Sequence, residues 1–141
     1  MTVPASQRSK PNLEAVEKAR ELAAYTIHIT SNPKVFKPEY QTALTNDIVH
    51  CAKEIYTCSW KANNINVGEP PKINEEARKD RERLQRIAVA NCYELLSLIQ
   101  LAKPVFHLTA KRVKYWGRFT VTCRSILQAW KESDSRRYSK K

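Results

Sequence analysis

Glycine is nearly absent from the chain: only Gly68 and Gly117 occur in 141 residues. Tight hairpins need positive φ, which glycine supplies most cheaply, so a chain this poor in it is ill equipped for a multi-stranded sheet, and the expectation moves to an all-α fold. A glycine-rich phosphate-cradling loop is excluded on the same ground. Long apolar runs are missing too. The most apolar stretch, Ile87 to Ala102, is interrupted by Asn91, Glu94 and Gln100, which predicts no membrane span. The N-terminus carries no signal-peptide pattern. The four cysteines, Cys51, Cys58, Cys92 and Cys123, all fall within helical patterns. Free thiols in a reducing cytoplasm are therefore the expected state, not disulfides.

Acidic residues are scarce as well: 14 Asp and Glu face 25 Lys and Arg, a formal charge of +11. The excess is concentrated. Residues Leu108 to Lys141 hold ten Lys or Arg against only two acids, Glu132 and Asp134. A positive end of this kind predicts a polyanionic partner, nucleic acid above all. The 42% apolar content suffices for a packed core, so the charge sits on a folded domain.

The punctuation divides the chain into four helical segments. Residues 1–11 are polar, basic and carry two prolines, and read as a disordered arm. Asn12 is the candidate cap of a first helix to about Thr30, with Val16, Ala19, Ala23, Thr26 and Thr30 facing inward. Pro33 and Pro38 break the pattern over Ser31–Tyr40. A second helix runs to about Asn64 with the seam Leu44, Ile48, Cys51, Ala52, Ile55, Ser59 and Ala62. Gly68, Pro70 and Pro71 mark the next break, and Asn74 caps a third helix with Glu75 and Glu76 in its first turn. Its expected seam is Ala77, Leu84, Ala88, Asn91, Leu95, Leu98 and Ala102. The charged start, EEARKDRERLQR, is expected to project past the core as a solvated helix. Pro104 closes or kinks this helix. Residues 132–141 read as a polar, basic tail. Four helices with short connections pack most simply as an up-down-up-down four-helix bundle over residues 12–131.

The fourth helix carries the most information. Val113, Trp116, Thr120, Cys123, Leu127 and Trp130 alternate steps of three and four, one face of an α-helix, and Thr109 is its candidate N-cap. Lys111, Lys114 and Arg118 fall on the opposite face as a cationic ridge, with Arg112 and Arg124 at its edges and Arg136 and Arg137 extending it toward the tail. Such a ridge neutralises phosphates and gives sequence-tolerant, salt-sensitive binding. Trp116, Trp130 and Tyr115 could stack on bases, although both tryptophans share the apolar period and belong more naturally to the core. Tyr115, Phe119 and Ile126 flank the core stripe, as Tyr56 and Trp60 flank that of the second helix. One core needs one seam per helix, so these flanks predict either self-association as a closed oligomer or an unusually wide core.

Catalytic groupings are not apparent. A bundle holding two metals uses paired Glu-x-x-His motifs; the nearest match is a single Asp47-x-x-His50. Cys51 and Cys58 share a face but lack a Cys-x-x-Cys or His-x₃-His companion, and His28 and His107 have no acid–nucleophile arrangement nearby. The expectation is a binding protein, not an enzyme, with no metal and no cofactor.

The runs ELAAYTIHITSN (21–32), CAKEIYTCSWKANN (51–64), ELLSLIQLAKPVFHLTAKRVKYWGR (94–118) and ILQAWKESD (126–134) resemble the accessory variability determinant (Avd) family of diversity-generating retroelements, which shares a four-helix-bundle superfamily with the intervening-sequence proteins of bacterial ribosomal RNA genes. FHLTAKRVKYWG is the most specific part. The resemblance implies a basic, barrel-shaped homopentamer that partners a reverse transcriptase, binds RNA or cDNA and supports mutagenic cDNA synthesis. It places Lys111, Arg112, Lys114 and Arg118 at the nucleic-acid or polymerase contacts. The chain departs from the family at Phe36-Lys37-Pro38-Glu39, where an aromatic followed directly by Pro-Lys is usual. Asn63-Asn64-Ile65-Asn66-Val67 stands where the ribosomal branch carries an Asn-Ile-Ala-Glu-Gly-like run, which favours the retroelement branch. The alternative is a protein–protein adaptor of the ribosomal type that does not touch nucleic acid.

Overall fold

The computed structural model describes residues 10–139. Most of the expected N-terminal arm, residues 1–9, and the final Lys140 and Lys141 lie outside the described residues. Four long helices form the domain: α1 (Lys10–Thr30), α2 (Asn46–Asn63), α3 (Glu75–Phe106) and α4 (Ala110–Arg137). Each packs against the next and α4 packs back on α1, closing a circuit of four around one core. No helix among the described residues is long and apolar enough to cross a membrane.

The side-chain caps expected for the last two helices are both made. Asn74 Oδ1 accepts from the Ala77 N–H at 3.1 Å, and Thr109 Oγ1 accepts from the Arg112 N–H at 3.1 Å. Each satisfies a first-turn donor that has no partner within its own helix. α1 begins two residues ahead of Asn12, which lies in the first turn and not at the cap. α3 continues through Pro104 and stops at His107, whose left-handed backbone (φ 54°, ψ 48°) turns the chain toward α4.

The connections carry more structure than the prolines suggested. Pro38–Tyr40 forms a 3₁₀ turn and Gln41–Thr45 a π-helical turn leading into α2. Phe36, in the preceding loop, is buried, with its ring 4.7 Å from that of Phe106. Between α2 and α3, Gly68–Glu69 pairs antiparallel with Lys72–Ile73 in a minimal hairpin. Gly68 has φ +91°, and a Cβ there would lie 2.7 Å from the Lys72 carbonyl oxygen, so glycine is required by both conformation and space.

All six expected residues of α4 are buried; of the seven expected for the second helix, six are buried in α2, where Cys58 joins them, and Leu44 is buried in the π-helical turn before it. Trp116 and Trp130 are the largest fully buried side chains. At roughly 150–250 Å² each, they contribute on the order of 4–6 kcal/mol apiece before entropy is counted. In α1 the stripe includes Ala15 and Leu22, while Val16 is only half-buried.

α3 departs from expectation. Its buried stripe is Arg81, Gln85, Ala88, Cys92, Leu95, Ile99, Ala102 and Phe106, rotated from the expected seam, and Ala77, Leu84, Asn91 and Leu98 are only half-buried. The charged start of α3 does not project as a solvated helix. Arg81 is drawn inside because Asp134 of α4 neutralises it and the Ala62 and Ile65 carbonyls accept from its Nη1. The same interaction corrects the expected tail. Residues 132–137 complete α4, and Tyr138 is buried where the helix ends.

Candidate nucleic-acid interface

The ridge on α4 is aimed by what lies beneath it. Trp116 Nε1 donates to Thr26 Oγ1 of α1 at 3.1 Å, and the Thr120 hydroxyl donates to the Trp116 carbonyl at 2.9 Å. Together with the buried stripe Val113, Trp116, Thr120, Cys123, Leu127 and Trp130, this contact favours one rotation of α4 about its axis. Lys111, Lys114 and Arg118 then point outward and are exposed. No carboxylate of a described residue pairs with any of the three, in contrast to the ion pairs that Lys18, Arg20, Arg78, Arg81 and Arg137 make.

Beside the ridge lies an aromatic cluster shared between α1 and α4. The Tyr25 ring is 5.3 Å from Tyr115 and 5.6 Å from Phe119, and Tyr115 is 6.1 Å from Phe119. Arg112 donates to the Tyr25 hydroxyl at 2.8 Å, with its guanidinium carbon 6.0 Å from that ring's centre. On the other side, Lys18 Nζ lies 5.9 Å from the Phe119 ring centre. Tyr25 and Lys18 were not among the expected site residues. Periodicity along one helix does not reveal which side chains of a neighbouring helix stand next to it.

The remaining expected contacts separate from this cluster. Arg124 is half-buried on the flank facing α3, its guanidinium 5.0 Å from the Tyr93 ring, and its Nε is buried without an acceptor. Arg137 pairs with Glu69 at 2.8 Å, and Arg136 is exposed. Eighteen residues separate Arg118 from Arg136, about 27 Å along a helix. On the ridge face between them stand Thr122, Ser125, Ala129 and Glu132, so the cationic line is not continuous. The flanking apolar residues divide in a similar way. Tyr56, Phe119 and Ile126 are partly buried against the core, whereas Trp60 and Tyr115 are 51% and 56% exposed.

The cysteines are held as buried thiols. The Cys51 thiol donates to the Asn91 carbonyl at 3.1 Å, and burial, reinforced by Glu94 and Glu54, pushes it up to about 12. Burial also raises Cys58, and Cys92 is raised by a hydrogen bond with Cys123 and by burial. Asp47 and His50 are both exposed. Among the described residues, no group of three or more His, Cys, Asp or Glu is placed to hold a metal ion.

Compared with models of protein families, with curated proteins and with solved structures, the chain finds no match.

Proposed function

We propose that this protein is a non-enzymatic accessory factor that binds RNA or cDNA through the Lys111–Lys114–Arg118 ridge and works with a reverse transcriptase in the manner of the Avd family. The observation that carries the reading is the ridge itself: three exposed cations on one helix face with no acid among the described residues to neutralise them. Charges left unpaired in this way attract a polyphosphate and release its counterions, whatever the base sequence. Arg112 belongs to the same patch. The reverse-transcriptase partner and the mutagenic role rest on the resemblance of runs such as FHLTAKRVKYWG. Short connections between the four helices support an up-down-up-down course, free thiols support a cytoplasmic location, and the family suggests a ring-shaped homo-oligomer of five subunits. Exposed Trp60, beside half-buried Tyr56, is the apolar surface on which such assembly would draw.

A salt titration of RNA binding tests the core of this reading. The wild-type protein should bind at low salt and release steeply as salt rises. Replacing Lys111, Lys114 and Arg118 by Glu should abolish binding while helicity by circular dichroism is retained. Undiminished binding by that variant at low salt would overturn the assignment. The retroelement role has a separate test in the flanking DNA, where a reverse-transcriptase reading frame beside near-identical repeats is expected. If a nuclease-treated pull-down recovered a polymerase while the purified protein bound no RNA, the adaptor reading would replace this one.

A further inference from the structure

Tyr115 is the most exposed of the large hydrophobic residues, at 56%. It is nonetheless held in place: Tyr25 and Phe119 both meet it in edge-type contacts at 5.3 and 6.1 Å, so it is braced without being covered. Two open grooves share it as their common wall. One runs past Tyr25 toward Lys111 and Arg112, and the other runs between Lys18 and Arg118 past Phe119. Lys111 and Arg118 stand about one turn to either side of Tyr115 along α4, and Lys114 adjoins it. An exposed aromatic ring on a core seam's flank ordinarily awaits another protein surface. Lys18 on the far wall of the second groove is paired with Glu21, but Lys111, Arg112, Lys114 and Arg118 pair with no acid among the described residues. That setting disfavours an apolar partner and suits a polyphosphate that also offers flat apolar faces.

We infer that Tyr115 is a stacking platform for an unpaired base, making the ridge selective for single-stranded nucleic acid. The inference rests on the nucleic-acid reading and adds the kind of strand the site takes. A duplex keeps its base faces stacked on one another and offers the ridge only phosphates. A single strand can lay its backbone along Lys111, Lys114 and Arg118 and turn one base onto the tyrosine ring, as sequence-tolerant single-strand binders do. Arg112, hydrogen-bonded to the Tyr25 hydroxyl, is a positioning residue: it steadies the ring against which Tyr115 leans. Trp60 is the useful contrast. It is similarly exposed, but it lies on the α2 flank one turn beyond Tyr56, near which Arg20 is already paired with Glu17.

The test compares two single strands of equal length and equal phosphate count, one bearing bases and one abasic, by fluorescence anisotropy at low salt. Wild-type protein should prefer the base-bearing strand by about tenfold, the scale of one aromatic–base stack. Tyr115→Ala should lose that preference while keeping its affinity for the abasic strand, and Tyr115→Phe, which retains the ring face, should keep it. Equal binding of both strands by the wild type, or a preference that survives Tyr115→Ala, would overturn the inference while leaving the cationic ridge in place. Failure to bind either strand would remove both readings. A change of mass by light scattering on Tyr115→Ala would place the ring in a subunit contact and also overturn the inference.

Discussion

Arg81 and Asp134 form a two-pronged ion pair across the end of the bundle: Nε reaches Oδ2 at 2.6 Å and Nη2 reaches Oδ1 at 3.2 Å. Gln85 donates to the same Oδ2 at 2.8 Å, and the guanidinium lies 5.3 Å from the Trp130 ring and 5.8 Å from that of Tyr138. The two side chains are only 7% and 12% exposed. The pair therefore anchors the last turns of α4 to the start of α3. Removing one member leaves the other charge buried and uncompensated, which costs far more than the pair contributes. Asp134→Ala should lower unfolding stability by about 3–5 kcal/mol in urea denaturation. Arg137→Ala breaks an ion pair whose members are 41% and 70% exposed, and should cost less than about 1 kcal/mol. Similar losses for the two variants would show that the buried clamp is no more important than a surface bridge.

Gly117 makes an opposite prediction. It lies in the interior of α4, and a Cβ built on it meets nothing within 4 Å. Glycine there costs backbone entropy without a steric reason, so Gly117→Ala should stabilise the fold by about 0.4–1 kcal/mol. That corresponds to a rise in Tm of about 1–4 °C for a domain of this size. An unchanged or lower Tm would mean that α4 needs the glycine for something the packing does not reveal.

Much of the fold is written in local pattern, and α3 shows where that stops. The stripe of α4 is legible because tryptophan, leucine and valine recur at helical steps, and the Asn74 and Thr109 caps because a short polar side chain before a helix has one dominant use. Arg81 and Gln85 continue the buried stripe of α3 at correct helical spacing, yet both are polar. What permits their burial is Asp134, 53 and 49 residues further on, so no local window contains the answer. Phe36 sits between two prolines, where no helical or strand period marks a core position, although its buried ring packs on Phe106. The candidate site divides in the same manner: Lys111, Lys114 and Arg118 are visible as one face of one helix, while Tyr25 and Lys18 join them only through the packing of α1 on α4.

The cysteine thiols carry a prediction about both reactivity and pH. Burial raises Cys51 from an ordinary 9.0 to about 12, and Cys58 and Cys92 move in the same direction. The thiolate is the reactive form, so native protein at pH 8 should react with a thiol reagent far more slowly than denatured protein. Because the folded state holds these thiols neutral, their contribution to stability is complete below pH 9 and is lost as pH rises toward 12. Thermal scans should show Tm declining over that window, and Cys51→Ser, which titrates nowhere near it, should show a shallower decline. Rapid native labelling of all four cysteines would contradict the buried-thiol assignment.

Arg124 and the ridge make the sharpest division among the basic residues of α4. Each phosphate neutralised on a single strand contributes about 0.7 to the slope of log affinity against log salt. Neutralising Lys111, Lys114 and Arg118 to Gln should therefore flatten that slope by about 2. Arg124 is half-buried on another flank, packed over the exposed Tyr93 ring with its Nε out of solvent. Arg124→Ala should leave the salt slope unchanged and lower stability instead, by about 0.5–1 kcal/mol for the lost cation–π contact. Equal flattening by the two variants would mean that the flank facing α3 also meets phosphate, and the nucleic-acid path would then have to wrap around α4 instead of following one face of it.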